Sequence, residues 1–277
     1  MCISVHILIN LPYQKWMKSS SKKKNESKIR ADELLLKLGL CETRTKAQAY
    51  ILAGQVKLGT EKIDKSSRML NQESKITLEH PSPYVGRGGF KMKSFFEKSP
   101  ISIVGCQVLD LGASTGGFSD YFLQNGASSA TCVDVGHGQL HYKLRQDPRV
   151  KNIEKTNLRT LTVEKLDRIA FPFVVMDMSF ISLKKVLKKA WSFTAEEGYL
   201  IALVKPQFEC KKEEADRGKG VIKDKLIQKR VIDEIITFSK THLNGAELFA
   251  EVESSPRGND GNQEFFICWK KLISNQL

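Results

Sequence analysis

The chain has no cysteine pair at C-x-x-C spacing. Its six cysteines (Cys2, Cys41, Cys106, Cys132, Cys210 and Cys268) are scattered, which argues against a zinc knuckle or a dithiol redox centre. Several lie in apolar runs, where a free Cys behaves as a small buried hydrophobe, and a reducing cytoplasm suits them. No segment approaches the roughly 18 uninterrupted apolar residues of a membrane span. The opening MCISVHILINLPYQKW carries an apolar patch but lacks the basic start, long apolar centre and small-residue cleavage site of a secretory signal. Neither secretion nor stable membrane insertion is expected. No repeat period is visible, which argues against a solenoid.

Acidic residues are also in short supply. Against 31 Asp plus Glu stand 44 Lys plus Arg, a formal net charge of +13. Clustered cations gain affinity by releasing counterions from phosphates, so the expected partner is a polyanion, nucleic acid first and an anionic membrane second. The excess is uneven: residues 1–80 hold 15 basic and 8 acidic side chains, +7 in well under a third of the chain. At 277 residues, 41% hydrophobic and 27% charged, the sequence reads as an ordinary globular protein of two domains.

Residues 1–28 end in the basic, polar run MKSSSKKKNESK and read as a disordered leader, with Met17 as an alternative start. From 29 to 80 the pattern predicts a compact α+β module. IRADELLLKLGL and TRTKAQAYILAG each have apolar residues at helical spacing and stop near a glycine, and QVKL and KITLE supply strands. PSPYVG (81–86) reads as a linker. The rest, 87–277, alternates strand and helix signals. The strand candidates are CQVLDLG, SATCVDVG, NIEKTN, FVVMDMSF, YLIALVKP, AELFAEVESS and EFFICWKK, with helices at LKKVLKKAWSF and KDKLIQKRVIDEIITFSKTHL. Strands apolar on both faces and separated by helices predict an α/β fold with a mostly parallel, seven-stranded sheet.

In such a sheet ligands bind beyond the carboxyl ends of the strands, where the first strand turns into the first helix. Here that turn is DLGASTGGFSD, with Asp110, Gly112, Ala113, Ser114, Thr115, Gly116 and Gly117. Its spacing, D-x-G-x-x-x-G-G, is neither the G-x-G-x-x-G of dinucleotide binding nor the G-x-x-x-x-G-K-[ST] of a P-loop. No lysine follows the glycines, and Asp110 would repel a pyrophosphate. A sulfonium and an ammonium suit an acidic loop better, which points to S-adenosylmethionine. Asp134 and Val135, about 20 residues on at the end of the second strand, suit the ribose hydroxyls of that ligand. Asp177, ending the fourth strand, would stand near its methionine end, and Asn157 after the third strand is a candidate adenine contact. A single acid at a strand end is ordinarily a loop cap; three at one rim with a glycine loop point to a ligand.

Lys91, in GRGGFKMKSFF, and Lys205, ending the apolar strand LIALVKP, are either snorkelling surface residues or placed catalytic charges. Glu264, opening the last strand, can orient a lysine. His137 and His141 share an i, i+4 spacing that could bind metal, but no third ligand stands out and no metal is expected. There is no nucleophile elbow with a Ser-His-Asp set.

The ordered motifs IRADELLLKLGL, TRTKAQAYILAG, YVGRGGFKM, DLGASTGGFSD, CVDVGHGQL, VVMDMSFISL, LVKPQFE, GVIKD and SSPRGNDGNQEFF together resemble the TlyA family. That resemblance spans Ile29 to about Lys270. It implies a small S4 (αL) RNA-binding domain at 29–80 and, at 87–277, an FtsJ-like, Rossmann-like class I methyltransferase domain. It further implies 2′-O-methylation of cytidine in 16S or 23S ribosomal RNA, on free RNA or ribosomal subunits. The catalytic tetrad Lys-Asp-Lys-Glu of FtsJ-like enzymes maps onto Lys91, Asp177, Lys205 and Glu264. The S4 likeness makes Arg30, Arg44 and Lys46 candidates for phosphate contact. Under this reading Lys205 is the general base, Lys91 holds the 2′-oxygen, and Asp177 and Glu264 orient the two ammonium groups. Three rival readings are a membrane-active haemolysin, a label that relatives carry, a non-catalytic RNA-binding assembly factor, and a nicotinamide dehydrogenase, which the loop spacing disfavours.

Overall fold

The computed structural model describes residues 27–79, 82–166, 168–258 and 260–273. Nearly all of the basic leader falls outside them; Lys28, counted with it above, is instead the first residue of a strand. The chain divides into two compact units, residues 1–81 and 82–277. Tyr84 and Val85, read above as linker, pack against the core of the second unit, and the Val85 N–H donates to Asp120 Oδ2 at 2.8 Å.

The first unit runs β1 (Lys28–Arg30), α1 (Ala31–Lys37), α2 (Arg44–Leu52), β2 (Val56–Leu58), β3 (Glu61–Lys62), β4 (Met69–Asn71) and β5 (Ile76–Leu78). β1 pairs with β4, and β2 lies between β3 and β5. The apolar positions of IRADELLL and TKAQAYI meet over Val56, Ile63, Leu70 and Ile76, leaving Leu34, Leu35 and Ala47 fully buried. A carboxylate sits inside this small unit. Asp32 is wholly inaccessible and accepts from the guanidinium groups of Arg30 (3.0 Å) and Arg44 (3.1 Å) and the Gln48 amide (3.0 Å). Burial pushes its carboxyl up, but those three hydrogen bonds more than reverse the effect and hold it well below the usual carboxylate range.

The second unit contains α3 (Arg87–Lys98), β6 (Gln107–Leu111), α4 (Gly117–Gln124), β7 (Ser129–Val133), α5 (Tyr142–Arg145), β8 (Val150–Ile153), β9 (Phe171–Met176), α6 (Leu187–Ser192), β10 (Thr194–Val204), α7 (Pro206–Glu209), α8 (Lys212–Arg217), α9 (Lys225–His242), β11 (Ala246–Glu253) and β12 (Phe265–Lys271). Seven strands form one sheet in the order β11-β12-β10-β9-β6-β7-β8. β8, β7, β6, β9 and β10 are parallel, and β12 runs antiparallel between β10 and β11. The order reverses between β6 and β9, which opens a crevice at their carboxyl ends.

Alternate residues of the central strands feed two cores, so these strands are apolar throughout. Leu109, Val174, Met176, Leu200 and Ala202 face α6 and α9, whereas Val108, Phe173, Val175, Ile201 and Leu203 face α3 and α4. Several elements differ from the sequence expectation. β8 begins two residues before NIEKTN, and β10 begins five residues before YLIALVKP. LKKVLKKAWSF is not one helix: a 3-10 turn, Leu183–Lys185, is capped by Ser182, and the chain breaks at Val186 before α6.

Candidate active site

β6 delivers Asp110 to the crevice, and the chain then turns sharply. At Gly112 φ is +83°, and a Cβ there would stand 2.5 Å from the Asp177 carbonyl oxygen, so only glycine fits. The Asp177 N–H donates to the Leu111 carbonyl at 3.1 Å, holding the ends of β9 and β6 side by side. Gly117 at the start of α4 faces Gly88 in α3. A Cβ on Gly117 would be 3.0 Å from the Gly88 Cα, so the GG pairs of GRGGF and STGGF let the two helix starts touch backbone to backbone. That contact fixes α3, and Lys91 on it, against the loop.

A cavity of about 570 Å³ opens at this rim. Asp110 lines it and is almost wholly buried. Its Oδ2 accepts from the Ser119 N–H (3.1 Å) and hydroxyl (2.7 Å), while its Oδ1 has no hydrogen-bond partner. Burial pushes the Asp110 carboxyl up to about 7, with Asp177 and Asp134 adding to the rise and the Ser119 hydrogen bonds opposing it. Gln207 Oε1, also on the wall, is a second buried acceptor without a partner. Two orphaned oxygens around a cavity call for a ligand that donates hydrogen bonds or carries positive charge.

Two lysine–carboxylate pairs face the same cavity. Lys91, buried on α3, lies 2.5 Å from Glu264 Oε2, itself buried just before β12. Lys205, directly after β10, lies 2.5 Å from Asp177 Oδ1 directly after β9 and donates to Ser179 Oγ at 3.0 Å. The four residues come from four separate segments of the chain. All four line the one cavity.

Gly112, Ala113, Ser114, Thr115 and Gly117 line it as well. Gly116, Asp134, Val135 and Asn157 do not. Gly116 packs on Leu140 and Leu144. Asp134 binds loop amides, Oδ2 accepting from Ser114 N (2.8 Å) and Oδ1 from Gly136 N (2.7 Å). Val135 is exposed, and Asn157 caps a 3-10 turn by accepting from Arg159 N at 3.0 Å. His137 Nδ1 contacts Glu154 Oε2 at 2.6 Å, and His141 caps α5. Among the described residues no three His, Cys, Asp or Glu side chains converge as a metal site would require. In the first unit Arg30 and Arg44 are committed to Asp32, and Lys46 pairs with Glu42 at the surface.

Sequence reasoning passed over nine wall residues: Gly86, Arg87, Gly88, Phe118, Ser179, Phe180, Gln207, Phe208 and Asp260. Four of them sit in the quoted motifs VVMDMSF and LVKPQFE, where the eye goes to the charges. Phe180 is 90% exposed and has φ of +61°, and its ring lies 5.2 Å from that of Phe208. A bulky residue in that region costs about 1–3 kcal/mol and persists only where its surroundings impose it.

A glycine-cradled crevice at the switch point of a seven-stranded sheet with one antiparallel strand defines a Rossmann-like methyltransferase. Family models agree: residues 84–271 match the FtsJ-like methyltransferases and residues 29–76 the S4 domain. YqxC of Bacillus subtilis, provisionally named an rRNA methyltransferase, is 38% identical over 242 residues, covering 87% of this chain and 85% of YqxC. The 16S/23S rRNA (cytidine-2′-O)-methyltransferase TlyA of Mycobacterium tuberculosis is 34% identical, covering 90% of this chain and 92% of that one. The solved structure of a provisionally assigned hemolysin from Streptococcus thermophilus superposes with a TM-score of 0.67 at 34% identity, covering 90% of each chain. The chain belongs to the TlyA family. No helix among the described residues is long and apolar enough to cross a membrane.

Proposed function

We propose that the protein transfers a methyl group from S-adenosylmethionine to a ribose 2′-hydroxyl of ribosomal RNA, at cytidine, working in the cytoplasm where ribosomes are assembled. The observation that carries this reading is the convergence of two lysine–carboxylate pairs on one cavity floored by a glycine loop. The relatives' names support the choice of RNA, and the S4 match supports a dedicated RNA-binding unit.

The donor fits the residues present. Asp110, with a buried and unpartnered Oδ1, suits a cationic ligand, and Gly112 to Thr115 with Gly117 offer a close backbone wall. Each Asp134 oxygen accepts one amide and keeps a lone pair for a ribose hydroxyl. S-adenosylmethionine supplies a methyl carbon made electrophilic by the sulfonium. Asn157 spends its Oδ1 on the 3-10 turn that follows it and keeps its Nδ2 amide to donate to an adenine nitrogen.

A ribose hydroxyl is a weak nucleophile that must be aligned and relieved of its proton. Lys205, acting as the free amine after releasing its own proton to solvent, takes the hydroxyl proton as general base, with Asp177 and Ser179 fixing its Nζ. Lys91, steadied by Glu264, donates to the 2′-oxygen and stabilises the charge developing there. Phe180 and Phe208 present aromatic faces on which an unstacked base can rest. Holding oxygen and methyl carbon in line supplies much of the acceleration. Arg30, Arg44 and Lys46 contact phosphates and position the RNA without reading its sequence.

The test is incubation with labelled S-adenosylmethionine and, separately, each ribosomal subunit and its bare RNA, followed by mapping of 2′-O-methyl positions. Label at ribose of a cytidine is expected. Donor binding without incorporation into any RNA would overturn the substrate assignment, and lysis of vesicles by the donor-free protein would favour the haemolysin reading.

A further inference from the structure

Glu209 ends α7, one turn after Lys205; it does not line the cavity and is half-buried. It reaches instead to the loop that follows β9. Its Oε1 accepts from the Leu183 N–H at 2.6 Å and its Oε2 from the Ser182 hydroxyl at 2.6 Å. Both bonds are short and charge-assisted, the strong kind. Burial pushes the Glu209 carboxyl up, opposed by these two hydrogen bonds and by Lys184, with Glu234 nearby adding to the rise. A carboxylate held partly out of water is costly to keep there unless it fastens something.

What it fastens is clear from chain positions. The loop begins with Asp177 and ends with Ser182; the α7 turn begins with Lys205 and ends with Glu209. Asp177 meets Lys205 at one end, and Ser182 with Leu183 meets Glu209 at the other. The loop is thus tied to the turn at two points. Between the ties lie Ser179, which receives the Lys205 Nζ–H, and Phe180 in its left-handed conformation against Phe208. Backbone strain at Phe180 needs an anchor, and the Glu209 tie is the nearest one downstream.

We infer that Glu209 is a positioning residue for methyl transfer: by gripping Ser182 and Leu183 it holds the Asp177–Phe180 loop in register with Lys205. This rests on the proposed function above. Displacements of about 1 Å in an aligned site can cost on the order of a hundredfold in rate.

The test pairs turnover with amide exchange on the full chain. Glu209→Ala is expected to lower kcat by about ten- to a hundredfold, with KM for RNA and donor affinity within about threefold of the parent. In donor-free protein the Leu183 amide should exchange at least about tenfold faster. Glu209→Gln, whose carbonyl can accept from Leu183 while its amide donates to Ser182, should restore both readouts to within about threefold. Should Glu209→Ala fail to fold, Ser182→Ala removes one of the two bonds together with the cap on the 3-10 turn, and should slow turnover several-fold with only a modest fall in melting temperature; parent turnover in that variant would equally overturn the inference. Wild-type turnover in folded Glu209→Ala, or a Gln variant as impaired as the Ala variant, would overturn the inference. If the parent protein methylates no RNA, the functional reading fails by itself; the tie then stands or falls on whether Glu209→Ala deprotects Leu183.

Discussion

Lys91 Nζ and Glu264 Oε2 lie 2.5 Å apart although 173 residues separate them, and both side chains are buried. Removing one partner of a buried pair strands a charge, which typically costs about 3–5 kcal/mol, whereas replacing both by apolar residues is often neutral or stabilising. Glu264→Ala should therefore lower the melting temperature markedly, and Lys91→Met with Glu264→Leu should recover most of that loss. Methyl transfer should be lost in both. A double variant that is stable and active would show that the pair serves packing alone.

Lys205 makes the sharper chemical test. As general base it should contribute about 10²- to 10⁴-fold to turnover, so Lys205→Ala should lower kcat by that factor and leave donor affinity little changed. Lys205→Arg should not restore activity, because a guanidinium cannot give up its proton at working pH and its fork does not reproduce a point charge against Asp177. Single-turnover kinetics with calorimetric donor binding separate the two effects. Full activity in the Arg variant would exclude proton abstraction at this position.

The strands around the site were legible because they are buried on both faces: FVVM and LIALV carry no polar residue that would blur them. The 3-residue strands Lys28–Arg30 and Met69–Asn71 were not, since such short segments show no period and their pairing is decided about 40 residues away. The break at Val186 hides inside a convincing helical pattern, because Ser182 caps a 3-10 turn there and Glu209 grips it from another element. Lys91 and Glu264 were brought together only through the family resemblance, for spacing says nothing across 173 residues. Phe180 went unremarked in VVMDMSF, because nothing in that pattern signals the left-handed backbone that leaves its ring exposed.

Asp110 predicts the pH dependence of donor binding. Its carboxyl, pushed up to about 7 by burial, is ionised only above that value, and the ionised form attracts a sulfonium and an ammonium. Donor affinity should rise with pH by up to about tenfold per unit below 7 and level off above it. The sign for stability is opposite. Between the unfolded carboxyl value of roughly 4 and the folded value near 7, the folded chain holds a proton that the unfolded chain has lost, so stability falls as pH rises through this window. Asp110→Asn should flatten both profiles, weaken donor binding at pH 8 and raise the melting temperature there. Calorimetry and thermal melts across pH check this, and an unaltered affinity profile would remove Asp110 from donor binding.

Asp32 predicts how the S4 unit meets RNA. The carboxylate is wholly buried, but the Arg30 and Arg44 side chains it holds remain 33% and 49% exposed. Each guanidinium is oriented from beneath and still has donors for a phosphate. Arg30→Ala and Arg44→Ala should each weaken RNA binding for all sequences alike and reduce the slope of log affinity against log salt by about 1. Asp32→Asn should keep both cations but lose their orientation, weakening binding with the salt slope nearly intact. It should also destabilise the unit by about 1–3 kcal/mol, the cost of unsettling a buried hydrogen-bonded group. Because the Asp32 carboxyl is held below its usual range, its contribution is complete above the unfolded value of roughly 4 and is lost as pH falls toward the folded value. Neutral-pH binding therefore isolates orientation from titration, and a salt slope unchanged in both Arg variants would move the phosphate contacts elsewhere on this basic unit.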